Sequence, residues 1–103
     1  MINAFVFDTN ALISAHILPN SVSRKTFDKA DRLGILVHSK ETMLEFTNVF
    51  TRTKFDRYQS VEERLKIISA FEKRSQLIKI TEVVTVCRDA SDNMLLELAL
   101  SCK

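Results

Sequence analysis

Short apolar segments rich in β-branched and aromatic residues alternate along the chain with longer amphipathic segments. The first pattern is typical of buried strands, and the second is typical of helices with one face against a core. The alternation predicts an α/β domain with a central parallel sheet flanked by helices. The predicted strands are 2–7, 35–38, 77–80 and 83–86; the predicted helices are 11–17 and 93–101, together with helices starting at Ser21 or Ser23, after Ser39 and at Ser60.

The same pattern predicts how the helices begin and which residues they bury. Thr9 or Asn10 is expected to cap the first helix, because side-chain oxygens there can accept free backbone N–H groups. Gly34 is expected to end the second helix. The residues expected to face the core are Val22, Phe27, Ala30, Leu33, Met43, Leu44, Val49 or Phe50, Val61, Leu65, Ile68 and Phe71.

Length and composition exclude several classes of protein. A chain of 103 residues fits a single domain, 1–103, and its one Gly and one Pro exclude a Gly-rich phosphate loop. A net charge of +2 is compatible with a nucleic-acid partner but does not indicate one. No apolar run approaches the roughly 20 residues that cross a bilayer. Because Cys87 and Cys102 lack metal-ligand spacing, we expect a cytoplasmic protein with reduced thiols.

Acidic residues follow several of the predicted strands. Asp8 comes directly after the first strand, Glu45 lies in the helix after the second, and Asp89 and Asp92 precede the last helix. Each has an ordinary interpretation, because Asp8 and Asp92 could cap helices and Glu45 could be a solvated surface charge. The carboxyl ends of parallel strands meet at one edge of a sheet, where ligands bind. Carboxylates gathered there would repel each other unless a cation such as Mg²⁺ or Mn²⁺ neutralised them.

Several segments resemble one known family. Phe5–Ala15, Ser39–Glu45, Val49–Phe55 and Cys87–Asn93 are similar to successive motifs of the PIN-domain family, in particular the toxin components of toxin–antitoxin pairs. The similarity covers nearly the whole chain, and the first and third motifs are the specific ones.

The resemblance implies a three-layer PIN fold and cleavage of single-stranded RNA by a water molecule that Mg²⁺ or Mn²⁺ activates. Carried over by position, Asp8, Glu45 and Asp92 would be the metal-binding catalytic carboxylates. Asn10 would orient Asp8 through a hydrogen bond, and Asp89 would be a neighbour of the site. An antitoxin protein and a second copy of the chain are the protein partners that this interpretation implies.

A basic segment follows the third predicted helix. Arg52, Lys54 and Arg57 stand beside Phe55 and Tyr58, and they are candidate contacts for RNA phosphates. An ordinary solvated basic stretch explains the same residues equally well.

The chain also departs from the family pattern, which continues into another strand ending in a fourth acidic residue, whereas this sequence ends at Lys103. We therefore interpret it as a PIN domain that lacks the C-terminal strand. The alternative function is a catalytically silent binding module that associates with itself or an antitoxin-like partner. An aspartyl phosphotransferase is disfavoured, because Asn10 stands where that chemistry needs a second Asp.

Overall fold

The elements follow one another as strand, helix, helix, strand, helix, helix and strand over residues 3–79, the part of the chain that this computed structural model describes. They are β1 (Asn3–Val6), α1 (Thr9–Ile17), α2 (Val22–Leu33), β2 (Gly34–His38), α3 (Lys40–Phe50), α4 (Val61–Arg74) and β3 (Gln76–Leu77), with a short 3-10 helix at Thr53–Phe55. The predicted strand 83–86 and helix 93–101 lie outside the described residues, as do Asp89 and Asp92.

The sheet has the order β1-β2-β3, and all of its neighbours are parallel. Val6 at the end of β1 stands opposite Val37 in β2, while His38 at the end of β2 stands opposite Leu77. The segments that follow β1 and β2 therefore begin at the same edge of the sheet. The predicted α/β class, with a parallel sheet flanked by helices, is confirmed.

Within residues 3–79, a side-chain cap starts each of the four α-helices. Ser21, Ser39 and Ser60 cap α2, α3 and α4, as the sequence predicts. Of the three residues that could cap α1, the cap is Asp8, and not Thr9 or Asn10, because Asp8 accepts the hydrogen bond from the backbone N–H of Ala11. Asp8 has the extended backbone that a cap requires, whereas Thr9 and Asn10 already lie inside the helix.

Some residues that were predicted to be buried are exposed, and the residue next to them in the helix is buried instead. The inner face of α3 is Met43, Phe46 and Phe50, and that of α4 is Arg64, Ile68 and Phe71. Each step along a helix turns the side chain by about 100°. The neighbouring residues Leu44 and Leu65 therefore point to solvent, contrary to prediction. Val22, Leu33 and Val61, each the first or last residue of its helix, are also exposed.

The first strand is also less buried than its apolar sequence suggests. Asn3 and Ala4 are exposed, and Phe5 and Val6 are half-buried. The prediction of a strand buried on both faces was therefore wrong for these residues.

Gly34 lies where the backbones of β1 and β2 come closest. A Cβ atom at this position would overlap the carbonyl oxygen of Asn3 and stand 2.9 Å from a ring carbon of Phe5. The backbone of Gly34 is extended, so the position requires space and not an unusual conformation.

We expect Gly34→Ala to lower the free energy of unfolding by about 1–3 kcal/mol, as overpacking of a core does. The strain comes from the Asn3 backbone, which moves only if the pairing of β1 with β2 opens. Urea unfolding followed by circular dichroism measures the change. An unchanged midpoint would show that the strands are not packed this closely.

Arg64 is the charged side chain at the centre of the α3–α4 connection. It is completely buried and donates to the carbonyl oxygens of Phe50, at 2.6 Å, and of Arg52 and Gln59, each at 3.1 Å. It also forms an ion pair with the carboxylate of Asp56. The bond to Phe50 satisfies a carbonyl group at the end of α3 that has no partner within the helix, and the others bind the connection that follows.

We expect Arg64→Met to lower the free energy of unfolding by about 3 kcal/mol, because it leaves buried carbonyl oxygens without donors. Lys66→Met is the matched control, since Lys66 is exposed on the same helix and its replacement should change stability by less than about 0.5 kcal/mol. Equal effects of the two substitutions in urea unfolding would contradict a structural role for Arg64.

Candidate functional site

Asp8 is placed at the carboxyl edge of the sheet by the strand before it and the helix after it. One residue separates it from the end of β1, and its Oδ1 accepts the Ala11 backbone N–H at 2.7 Å. Its side chain is exposed to solvent. Within residues 3–79, no hydrogen bond or ion pair involves Oδ2.

Glu45 is placed by the start of α3, which is fixed by a reciprocal cap. The hydroxyl of Ser39 accepts the Thr42 backbone N–H at 3.0 Å, and the hydroxyl of Thr42 accepts the Ser39 backbone N–H at 2.9 Å. Ser39 is itself completely buried directly after β2. Glu45 follows in the second turn and is half-buried, whereas Glu41, one turn earlier, is exposed.

A narrow cleft at this edge connects the two positions. It is lined by Phe7, Thr9, Leu12, Val37, His38, Thr42, Met43, Glu45 and Phe71. Glu45 lines the cleft, as do the residues immediately before and after Asp8, whereas Asp8 itself is not among the lining residues. The structure therefore brings together the two junctions that carry Asp8 and Glu45, while the third predicted carboxylate, Asp92, lies outside the described residues.

The remaining predicted residues have different surroundings. Among the hydrogen bonds of residues 3–79, none joins Asn10 to Asp8, and the backbone of Ala11 binds the carboxylate instead. Arg52, Lys54 and Arg57 follow the last turn of α3, whereas the cleft lies near its first turns. These cations therefore do not line the cleft with Glu45. Asp89 lies outside the described residues.

His38 is a part of the cleft to which sequence reasoning gave no role. It is buried, and its Nδ1 is hydrogen-bonded to the hydroxyl of Ser75. That hydroxyl donates to the carbonyl oxygen of Phe71 at 2.7 Å, so Nδ1–H of His38 is the donor to Ser75. The position of His38 at the end of a strand was the only signal in the sequence.

The donor chemistry of the cleft fits a divalent cation. Carboxylate oxygens are the ligands that Mg²⁺ and Mn²⁺ prefer, and no Lys or Arg is among the described residues that line the cleft. Within residues 3–79, no three His, Cys, Asp or Glu side chains gather closely enough to form a complete metal site. The carboxylates at the two junctions beside the cleft are those of Asp8 and Glu45.

Comparison with known proteins agrees with this geometry. The PIN-domain family matches residues 4–103, and the chain belongs to that family. Membership indicates a nuclease-type function in general, and PIN domains generally use divalent metal ions.

An uncharacterized protein from Methanocaldococcus jannaschii is 34% identical over 100 residues, which cover 95% of this chain and 64% of that protein. The chain thus spans less than two thirds of the length of this relative. No solved structure matches the chain. In the described part, no helix has the length and apolar character needed to cross a membrane.

Burial also determines how the histidines respond to acid. Burial lowers the pKa of His38 below its ordinary value of 6.5, although the charge of Glu72 opposes the change. Burial likewise lowers the pKa of His16, whose Nδ1 donates to the carbonyl oxygen of Leu12 at 2.7 Å. Both imidazoles are therefore more easily protonated in the unfolded chain than in the folded one.

We expect the free energy of unfolding to be at its full value above about pH 6.5 and to fall as the pH decreases below it. The unfolded chain binds these protons first, so acid favours unfolding until the pH falls below the lowered pKa values of the folded protein. NMR titration of the imidazole resonances and urea unfolding between about pH 7.5 and about pH 5 measure the two effects. A pKa of His38 above 6.5 would contradict the buried environment.

Proposed function

We propose that the protein is a metal-dependent endoribonuclease that cleaves single-stranded RNA with water as the nucleophile. The observation that carries the proposal is that Glu45 and both sequence neighbours of Asp8 line one cleft, at two successive strand–helix junctions of a PIN-domain chain. Carboxylates that different strands bring to the same edge fit a role in binding metal better than a role in capping alone.

Each carboxylate has a definite part in this proposal. Asp8 would hold the cation through Oδ2, while Oδ1 keeps its bond to Ala11. Glu45 would hold it as well, and Asp92 would supply a third carboxylate. A bound Mg²⁺ or Mn²⁺ would polarise the phosphate and lower the pKa of a water molecule.

Other interactions within the chain position the carboxylates of Asp8 and Glu45. The cap fixes Asp8 against the first turn of α1, and the buried Ser39 fixes the start of the helix that carries Glu45. Because water attacks the phosphorus directly in this scheme, no side chain forms a covalent intermediate.

The toxin role, an antitoxin partner and a homodimer belong to the same proposal and rest on the resemblance of the motifs around Asp8 and Asp92. Light scattering of the purified protein, alone and with a co-expressed partner, would measure the assemblies. The competing hypothesis of a catalytically silent module predicts no cleavage by the wild-type chain with either metal.

We expect Asp8→Asn and Glu45→Gln each to reduce cleavage of a fluorescent single-stranded RNA by at least about 100-fold, since even residues that only support metal ligands contribute 10–100-fold. Asn caps a helix about as well as Asp does, so Asp8→Asn should leave the free energy of unfolding nearly unchanged. This substitution therefore separates the charge of the carboxylate from its structural role. Cleavage is measured with Mg²⁺, with Mn²⁺ and with a chelator.

Glu41→Gln is the matched control, because Glu41 is exposed on the same helix one turn before Glu45. It removes the same charge and should leave cleavage unchanged. A wild-type chain that is inactive with both metals would refute the enzyme proposal in favour of the silent module. Cleavage that survives in Asp8→Asn would place the activity at another site or in a contaminant.

A further inference from the structure

The connection between α3 and α4 carries an exposed group of basic and aromatic side chains. We call it the basic platform and define it as Arg52, Lys54, Phe55, Arg57 and Tyr58. The three cations are exposed, Tyr58 is 45% exposed, and Phe55 is half-buried. The platform follows the end of α3, and it is separate from the cleft that Glu45 lines.

The net charge of this surface is more positive than its sequence suggests. The only carboxylate among residues 52–58 is Asp56, and it pairs with the completely buried guanidinium of Arg64. Within residues 3–79, no ion pair involves Arg52, Lys54 or Arg57. The described surface therefore presents three cations, and the acidic residue nearest to them in sequence is already paired with Arg64.

The backbone of the platform is held in place before any ligand arrives. Arg64 binds the carbonyl oxygens of Arg52 and Gln59, each at 3.1 Å. Within the segment, Phe55 donates to the carbonyl of Arg52 at 3.1 Å and Tyr58 donates to that of Phe55 at 3.0 Å. Because these bonds already order the segment, a ligand loses less affinity to the ordering of the chain.

Two of the cations lie over aromatic rings. Nζ of Lys54 is 5.1 Å from the centre of the Phe55 ring, and the guanidinium of Arg57 is 5.0 Å from the centre of the Tyr58 ring. Cations that follow the phosphate backbone and exposed aromatic rings on which bases stack are the two features of surfaces that bind single-stranded nucleic acids. Duplexes bury their bases and would not use an exposed Tyr58 in this way.

The distance from the acidic cleft suits a chain that crosses both sites. Glu45 lies five residues before the end of α3, which corresponds to a rise of about 7.5 Å along the helix axis, and Arg52 lies two residues beyond that end. A few nucleotides bridge such a distance. Phosphates near the cut would then bind to cations that lie away from the carboxylates. The carboxylates themselves would repel these phosphates.

We infer that the basic platform binds the backbone of single-stranded RNA, with phosphates on Arg52, Lys54 and Arg57 and a base stacked on Tyr58. The identity of the ligand as a substrate rests on the proposed nuclease function. The platform would hold the strand beside the cleft and so contribute to affinity without taking part in the chemistry.

Binding is tested by fluorescence anisotropy with a labelled single-stranded RNA, using the full-length Asp8→Asn protein in chelator, so that no cleavage is needed. The triple substitution Arg52→Gln, Lys54→Gln and Arg57→Gln should weaken binding at least tenfold. It should also reduce the slope of log affinity against log salt by about 2, since each lost phosphate contact on a single strand contributes about 0.7. Tyr58→Ala should weaken binding about tenfold and leave the slope unchanged.

The matched control is the triple substitution Lys29→Gln, Arg32→Gln and Lys73→Gln, which removes the same charge from exposed positions of α2 and α4. Circular dichroism confirms that all variants are folded. Equal weakening by both triple substitutions would overturn the inference, because net charge alone would then explain the affinity. No binding, unchanged binding by the platform variant, or tighter binding of duplex RNA would overturn it as well.

The two proposals fail separately in these experiments. Platform-dependent binding by a chain that cleaves no RNA with either metal would refute the nuclease function and retain the RNA-binding surface. If cleavage depends on Asp8 but the platform substitutions leave RNA binding unchanged, only the RNA-binding role of the platform is refuted.

Discussion

The second half of the described structure depends on the hydrogen bonds and the ion pair of the Arg64 guanidinium. A buried charge is costly unless its donors are satisfied, and Arg64 meets this condition with three backbone carbonyls and the carboxylate of Asp56. In return, it closes the end of α3, shapes the connection that follows and attaches that connection to α4. One side chain thus determines how the two helices are joined.

The position of Glu45 follows from constraints at both ends of its helix. Ser39 fixes the beginning of α3 directly after β2, and Arg64 binds the carbonyl of Phe50 at its end. Between them, the ring of Phe46 stacks on Phe50 at 5.4 Å and meets Phe71 of α4 edge-on at 5.7 Å. Because α3 is held at both ends and along its inner face, Glu45 is directed to the cleft by the packing of the whole helix.

The sequence predicted the parts of this arrangement that depend on local rules. Alternating apolar segments predicted the parallel sheet, and parallel strands that end at one edge predicted that the junctions after β1 and β2 would lie close together. The inner faces of the helices were predicted less well, since counting apolar positions favoured Leu65 over Arg64. The spacing of Arg64, Ile68 and Phe71 is that of a buried helical face, but a cation at its first position does not count as apolar. The burial of Arg64 is explained by the carbonyl groups around it. These belong to residues outside α4, so the apolar pattern of that helix does not reveal them.

The cap that Asp8 forms is compatible with the ligand binding proposed for it. A carboxylate has two oxygens, and the bond from Ala11 occupies only Oδ1. This bond also restricts the rotation of the side chain, so the direction of Oδ2 is fixed before a ligand binds. No comparable hydrogen bond holds the carboxylate of Glu45 within the described residues, and its longer side chain retains more rotamers. A cation in the cleft would therefore meet one ordered ligand and one that becomes ordered on binding, so the entropic cost of assembling the site would fall mainly on Glu45.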